Sequence, residues 1–125
     1  MASSEAQQFI EKCLLKHLRK LAVAYLPKRL QLLADRHGLT YMGLRLKNMK
    51  TRWGSCSAKN NINLNIHLMR LPVGLADYVM LHELMHTREK NHGPRFWASL
   101  STLLPNARAI DKELKRFSSQ HWHFQ

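Results

Sequence analysis

Apolar positions along the chain fall into three successive patterns. From about Ser4 to His37, Phe9, Ile10, Leu14, Leu18, Leu21 and Tyr25 recur at helical spacing, with Lys12, Lys16, Arg19 and Lys20 on the opposite face. This predicts a basic amphipathic helix capped by Ser3 or Ser4. Pro27 lacks a backbone donor and its ring crowds the preceding turn, so it is expected to interrupt the helix. A shorter helix then resumes with Leu30, Leu32 and Leu33 and ends at Gly38.

Residues 39–71 change period. Leu44 and Leu46 alternate with Arg45 and Lys47, and Ile62, Leu64, Ile66 and Leu68 alternate with Asn63, Asn65 and His67. Alternation of this kind marks strands with one face on the core. Lys59-Asn60-Asn61 is a turn signal between them. From Pro72 the helical period returns: one helix over about 74–88, a second opened by Gly93-Pro94, and a third over about 107–117. Helices, then strands, then helices predict an α+β fold. Its elements are a small antiparallel sheet of about three strands, a helix packed on it, and helices at both ends. We read residues 1–125 as one domain, divided into a basic helical region (1–38), strands (39–71) and helices (72–117).

Composition narrows the class. A chain of 125 residues with 45% apolar content supports one small core. The formal charge is +12, with twelve Lys/Arg against three acids in residues 1–60 and eight against five in residues 61–125. Such charge invites nucleic acid through the basic N-terminal half, although no helix-turn-helix, zinc-finger or RNA-binding signature accompanies it. No stretch approaches the roughly 20 apolar residues of a membrane span. With no signal-peptide pattern and with Cys13 and Cys56 as the two cysteines, the expected location is the cytoplasm.

The chemistry concentrates in His82-Glu83-Leu84-Met85-His86. Residues four apart on a helix share a face about 6 Å apart along the axis, so two imidazoles can hold one metal ion. Glu83 leaves the helix at a different angle, suited to a water on the metal; this is the zinc-hydrolase motif. His92, just before Gly93-Pro94, can turn back as a third ligand; Glu89, Glu113 and a later carboxylate compete for that place. Three protein ligands and one open position describe a catalytic zinc site holding one ion. Zinc would acidify its water and Glu83 would take the proton. Tyr78, His67, Arg52 and Arg95 are candidate donors to the developing oxyanion. Core packing for Tyr78 and solvated surface for the arginines are the plainer readings. Cys56 reads as a small buried hydrophobe or a latency thiolate, and Trp53 as core or cleft wall. Asn63 and Asn65 read as the solvated face of an edge strand or as cleft amides. His121-Trp122-His123 reads as a frayed tail rather than an accessory metal tract.

Arg52-Trp53-Gly54-Ser55-Cys56-Ser57, Ile62-Asn63-Leu64-Asn65, Leu71-Pro72, Tyr78 to His86, Asn91-His92-Gly93 and Phe96-Trp97 together resemble the YgjP-like family, metal-dependent hydrolases related to SprT-like and other small zincin metallopeptidases. The resemblance is close from Thr51 to Trp97 and looser before it. It implies a zincin-like fold, zinc on His82, His86 and His92, Glu83 as general base, and Arg52 to Ser57 beside the site. Against that family pattern the sequence reads as a short form, expected to lack the β-rich region that often precedes the helix. It has Glu89 where metzincins have glycine, so it is not placed among them. The expected activity is zinc-dependent hydrolysis of a peptide or protein substrate. The alternatives are a zinc-dependent nucleotide or phosphoanhydride hydrolase, and a basic nucleic-acid-associated protein with a structural metal; a protease acting on DNA-bound proteins would combine two of these.

Overall fold

The computed structural model describes the backbone of residues 4–123 and the side chains of residues 4–118. Helix α1 spans Ser4–His37 without a break and contains Pro27. A proline inside a helix costs about 3 kcal/mol. Ala22 and Leu26 before Pro27, and Leu30, Leu33 and Ala34 after it, are all buried. Each buried leucine returns about 1.5–3 kcal/mol. Burial on both sides therefore outweighs the local break that Pro27 predicts. The helix ends as expected at Gly38, whose φ of 65° suits glycine. Leu39 N–H bonds to the Ala34 carbonyl at 2.8 Å and Gly38 N–H to that of Asp35 at 3.4 Å, which closes the last turn.

The predicted apolar stripe of α1 is not core. Phe9, Ile10, Leu14 and Leu21 are exposed, and Leu18 and Tyr25 are partly buried. Burial begins at Ala22, on a neighbouring face shared with Leu26 and Leu30. The helix is longer than the body it packs on, so among the described residues no layer covers its first half.

Strands β1 (Gly43–Lys47), β2 (Gly54–Cys56) and β3 (Asn61–Asn65) form one sheet in the order β1-β3-β2. The sheet is mixed rather than antiparallel: β2 pairs antiparallel with β3, and β1 runs parallel to β3, with Leu44 opposite Ile62 and Leu46 opposite Leu64. Residues 48–53 make this possible by crossing the end of β3. The fully buried Asn65 side chain donates to the carbonyls of Met49 (3.0 Å) and Arg52 (2.9 Å), and accepts from the N–H groups of Met49 (3.4 Å) and His67 (3.1 Å). All four hydrogen-bonding valences of the amide are used. Asn65 is thus a clamp on the crossover, on a central strand, rather than a solvated or cleft-facing amide. Asn63, next along β3, donates to Ser55 Oγ of β2. Pairing ends at Asn65; Ile66–Arg70 turn into a short 3-10 helix that buries Ile66, His67 and Leu68.

Helix α2 (Val73–Met85) lies on the sheet, followed by α3 (Pro94–Leu103) and α4 (Ala107–His123). Pro94 occupies the first turn of α3, as predicted. Tyr78, Phe96, Ile62, Leu64, Met80 and Leu84 are fully buried among the helices and sheet. Arg29 of α1 grips Asp77 of α2 in a two-pronged ion pair (2.9 and 2.6 Å), which fixes α2 against the long helix. Trp53 is core and donates from Nε1 to Ser118 of α4 at 2.7 Å. The backbone of His121-Trp122-His123 forms the last turn of α4; the side chains lie outside those described.

Candidate metal centre

His82 lies near the end of α2, and His86 caps it with near-helical dihedrals (φ −64°, ψ −14°). The chain then tightens: Thr87 N–H bonds to the Leu84 carbonyl, Arg88 N–H to that of Met85, and Thr87 Oγ1 also to that of Leu84. This short turn brings His92 back over the helix end. Lys90 secures it by donating to the Ser57 carbonyl (3.0 Å) and to Asn60 Oδ1 in the turn before β3.

The three imidazoles meet through their Nε2 atoms. His86 and His92 are 2.9 Å apart at these atoms, and His92 and His82 are 3.2 Å apart. Nitrogens around a tetrahedral zinc at about 2.0–2.1 Å stand about 3.3–3.4 Å from one another, close to this spacing. Hydrogen bonding sets the tautomers. His86 Nδ1 is 2.9 Å from the Glu89 carbonyl, which can only accept, so Nδ1 carries the proton and Nε2 a lone pair. His82 Nδ1 faces Glu83 Oε2 at 3.2 Å, which likewise leaves its Nε2 as a lone pair. One proton on His92 can satisfy one of these two nitrogens and not both, whereas a cation satisfies all three. Burial lowers the pKa of His86 and of His92, and the neighbouring histidines lower that of His92 further. Both shifts favour the neutral, metal-ready imidazole. The donor set fits a zinc ion.

Phe96, fully buried on α3, forms the floor. Its ring lies 4.5 Å from His86 in a stack, and 4.9 and 5.0 Å from His82 and His92. Periodicity identifies Phe96 as a core position and gives no hint of this role. Gly54 falls in the segment that the resemblance places beside the site, but its contact role has no signal in the sequence spacing. A Cβ there would lie 3.0 Å from Glu83 Cγ, 3.2 Å from the Asn63 carbonyl and 3.3 Å from Val79 Cγ1. Glycine lets β2 approach α2 directly beside Glu83.

Two adjoining cavities open along β2 and share Arg52, Gly54, His82 and Glu83. One, of about 230 Å³, continues to Trp53, Tyr78, Asp111 and Leu114. The other, of about 370 Å³, continues to Ser55, Cys56, His86, Lys90 and His92. The segment from Arg52 to Cys56 therefore lines the site, as the sequence resemblance implies.

The other candidates separate cleanly. Tyr78 is fully buried and its hydroxyl donates to Asp111 at 2.9 Å; burial first, and that hydrogen bond second, raise its pKa far above the usual range. His67 is buried on the far side with Asn48 and Arg70. Arg95 is exposed and lies 3.6 Å from Glu89. Of the proposed oxyanion donors, Arg52 and the packed Tyr78 line the cleft. Glu89 contributes its backbone carbonyl to His86, and its carboxylate faces Arg95. Glu113 is exposed on α4. Neither carboxylate joins the group of converging donors, which is His82, His86 and His92 among the described residues. Cys56 lines the cleft outside that group, and burial raises its thiol pKa, which opposes a latency thiolate.

A mixed sheet packed on a helix that brings three histidines together has the architecture of small zincin-like metallopeptidases. Two crystal structures share it: the metallopeptidase zymogen abylysin of Pyrococcus abyssi (TM-score 0.62, 22% identity, 70% of this chain and 90% of that chain) and the metallopeptidase zymogen jannalysin of Methanocaldococcus jannaschii (TM-score 0.61, 22% identity, 72% and 93%). At this identity the likeness is one of fold. The family model described as YgjP-like, metallopeptidase domain, matches residues 1–117, and the chain belongs to that family. No curated protein sequence matches it.

Proposed function

We propose that this protein is a zinc-dependent peptidase in which His82, His86 and His92 hold one zinc ion and Glu83 is the general base. The observation that carries the reading is the convergence of three imidazole Nε2 atoms beside a carboxylate in an open cleft. When bound, zinc would supply Lewis acidity, acidifying a water and polarising a scissile carbonyl. Glu83 faces both cavities from the helix turn that carries His82, where its carboxylate can take a proton and return it to the leaving amine. Among the described residues β2 pairs with β3 alone, so its outer edge offers backbone groups to an extended peptide. Arg52, at the rim of both cavities with Glu83, would face negative charge developing on the substrate.

A peptide is preferred over a nucleotide because the family is a metallopeptidase domain and the cleft runs beside a strand edge. A purely structural metal is disfavoured by the cavities that open onto His82 and Glu83. We also assign residues 1–125 to one catalytic domain and, from the free thiols of Cys13 and Cys56, the protein to the cytoplasm. Among the described residues, no helix is long and apolar enough to cross a membrane.

The test pairs two variants. His86→Ala should lose the zinc equivalent measured in the purified protein, whereas Glu83→Gln should keep it and lose casein hydrolysis by about 10²–10⁴-fold. Tight retention of one zinc by His86→Ala would refute the ligand set. Nucleoside triphosphates assayed beside casein separate the phosphoanhydride reading.

A further inference from the structure

The three imidazoles do not stand on equal footing. His82 and His86 belong to α2 and its cap, where Leu84, Met85 and His86 itself are buried. His92 rides an arm in which no residue from 88 to 95 is buried. The arm begins on main-chain bonds, from Thr87, Arg88 and Glu89 to the carbonyls of Leu84 and Met85. Beyond Glu89 these stop: among the described residues, Lys90, Asn91 and His92 enter no hydrogen bond between main-chain groups. Exposed segments with so few fixed contacts open locally at little free-energy cost. Two long side chains tie the arm to the rest of the fold. Arg88, at its start, donates to the Gly38 carbonyl at 2.5 Å. Lys90, next but one to His92, donates to the Ser57 carbonyl at 3.0 Å and to Asn60 Oδ1. Both acceptors lie in the turn between β2 and β3. That turn is firm: Asn60 N–H bonds to the Ser57 carbonyl (3.0 Å), Ser57 N–H to that of Asn61 (2.9 Å) and Met42 N–H to that of Asn60 (2.8 Å).

We propose that Lys90 is the positioning residue of the third metal ligand: by gripping the β2–β3 turn it holds His92 where the three nitrogens converge, and so sets how tightly zinc is kept. This rests on the reading of His82, His86 and His92 as the zinc ligands. An arm that swings free leaves two ligands in place, and the apparent affinity falls with the fraction of molecules that hold His92 over the helix end. The charge of Lys90 acts in the opposite direction. Lys90 lines the same cavity as the three imidazoles, and a cation there repels a metal ion. Burial and His82 lower the pKa of His86, and the Lys90 charge lowers it further. A residue acting through charge alone would therefore weaken zinc binding, and its removal would tighten it. A residue acting as a strap strengthens zinc binding, and its removal loosens it. The two roles differ in sign.

The experiment uses the full chain and measures zinc affinity by competition with a chromophoric chelator, beside the visible absorption spectrum of the cobalt-loaded protein. Lys90→Met should weaken zinc binding by about tenfold, the low end for groups that orient metal ligands, because both of its bonds are open to solvent. Its cobalt spectrum should shift toward that of His92→Ala, which lacks the third ligand outright. Lys90→Arg keeps donors and charge and should recover most of the lost affinity. Asn60 has a φ of 66°, so Asn60→Gly keeps the turn and deletes one acceptor. It should weaken binding in the same direction and add little to Lys90→Met, since the two act through one bond. Native or tighter zinc binding by Lys90→Met, while His92→Ala loses affinity, overturns the proposal and leaves the ligand set standing. Native zinc binding by His92→Ala overturns the ligand set and the proposal with it. A weakened Lys90→Met with a native cobalt spectrum, or no recovery in Lys90→Arg, also overturns the proposal.

Discussion

Replacing Gly54 with alanine places one methyl where β2 meets α2. The new Cβ would lie 3.0 Å from Glu83 Cγ, 3.2 Å from the Asn63 carbonyl and 3.3 Å from Val79 Cγ1. The carbonyl belongs to the central strand and Val79 is buried, so neither can swing aside; Glu83 or β2 must move. Overpacking of this kind costs about 1–3 kcal/mol. With an unfolding entropy of about 2.1 cal/mol/K per residue, a domain of this length should melt about 4–12 °C lower. Displacing the Glu83 carboxylate by about 1 Å should reduce turnover by about 10²-fold. The zinc equivalent should remain, because the contact involves Glu83 and none of the imidazoles. Differential scanning calorimetry, metal analysis and casein hydrolysis on one preparation read all three quantities. A Gly54→Ala protein with native melting temperature and native turnover would refute the claim that this approach positions Glu83.

Four further outcomes are expected. Burial holds the pKa values of His86 and His92 below the ordinary 6.5, so protons compete less well for these nitrogens and zinc should be retained below that pH; a release midpoint above 6.5 would contradict the site's electrostatics. In the metal-free protein the unfolded chain binds more protons than the folded one in this window, so thermal stability should fall as pH drops through 6.5 toward the lowered folded-state values. Tyr78→Phe should cost about 1–2 kcal/mol in stability through the lost bond to Asp111 and leave turnover nearly intact; a loss of turnover with zinc retained would make Tyr78 an oxyanion donor. Asp77→Ala should destabilise by about 1.5–3 kcal/mol in urea unfolding, since it strands half-buried Arg29; an unchanged midpoint would show that the ion pair does not fix α1 to α2.

Local features were legible in the sequence where local chemistry decides them. The four-residue spacing of His82 and His86 required a helix, and Gly93-Pro94 signalled the turn that returns His92. Gly38 ended α1 because a left-handed cap suits glycine. The errors arose where distant parts of the chain decide. Pro27 was overridden by leucines buried on either side of it. The hydrophobic stripe from Phe9 to Tyr25 has a core-like period, yet period reports which residues share a face and not whether a layer exists to cover that face. The parallel pairing of β1 depends on Asn65, whose role is set by carbonyls 13 and 16 residues earlier in the chain. Gly54 and Phe96 serve the site through contacts with α2 and the histidine rings, which no spacing rule contains.

The clamp at Asn65 separates two properties of the cleft rim that loops usually couple. Its amide grips the crossover through hydrogen bonds to main-chain groups of Met49 and Arg52. The path of the crossover is therefore specified from β3 through its backbone, while the exposed side chains of Thr51 and Arg52 remain open to replacement. New side chains can be installed at Thr51 or Arg52 on an unaltered backbone, which makes this crossover the natural place to retune what the cleft accepts. The single change to avoid there is at Asn65 itself: aspartate would keep the acceptor oxygen and lose both donors, releasing the rim and the parallel strand together.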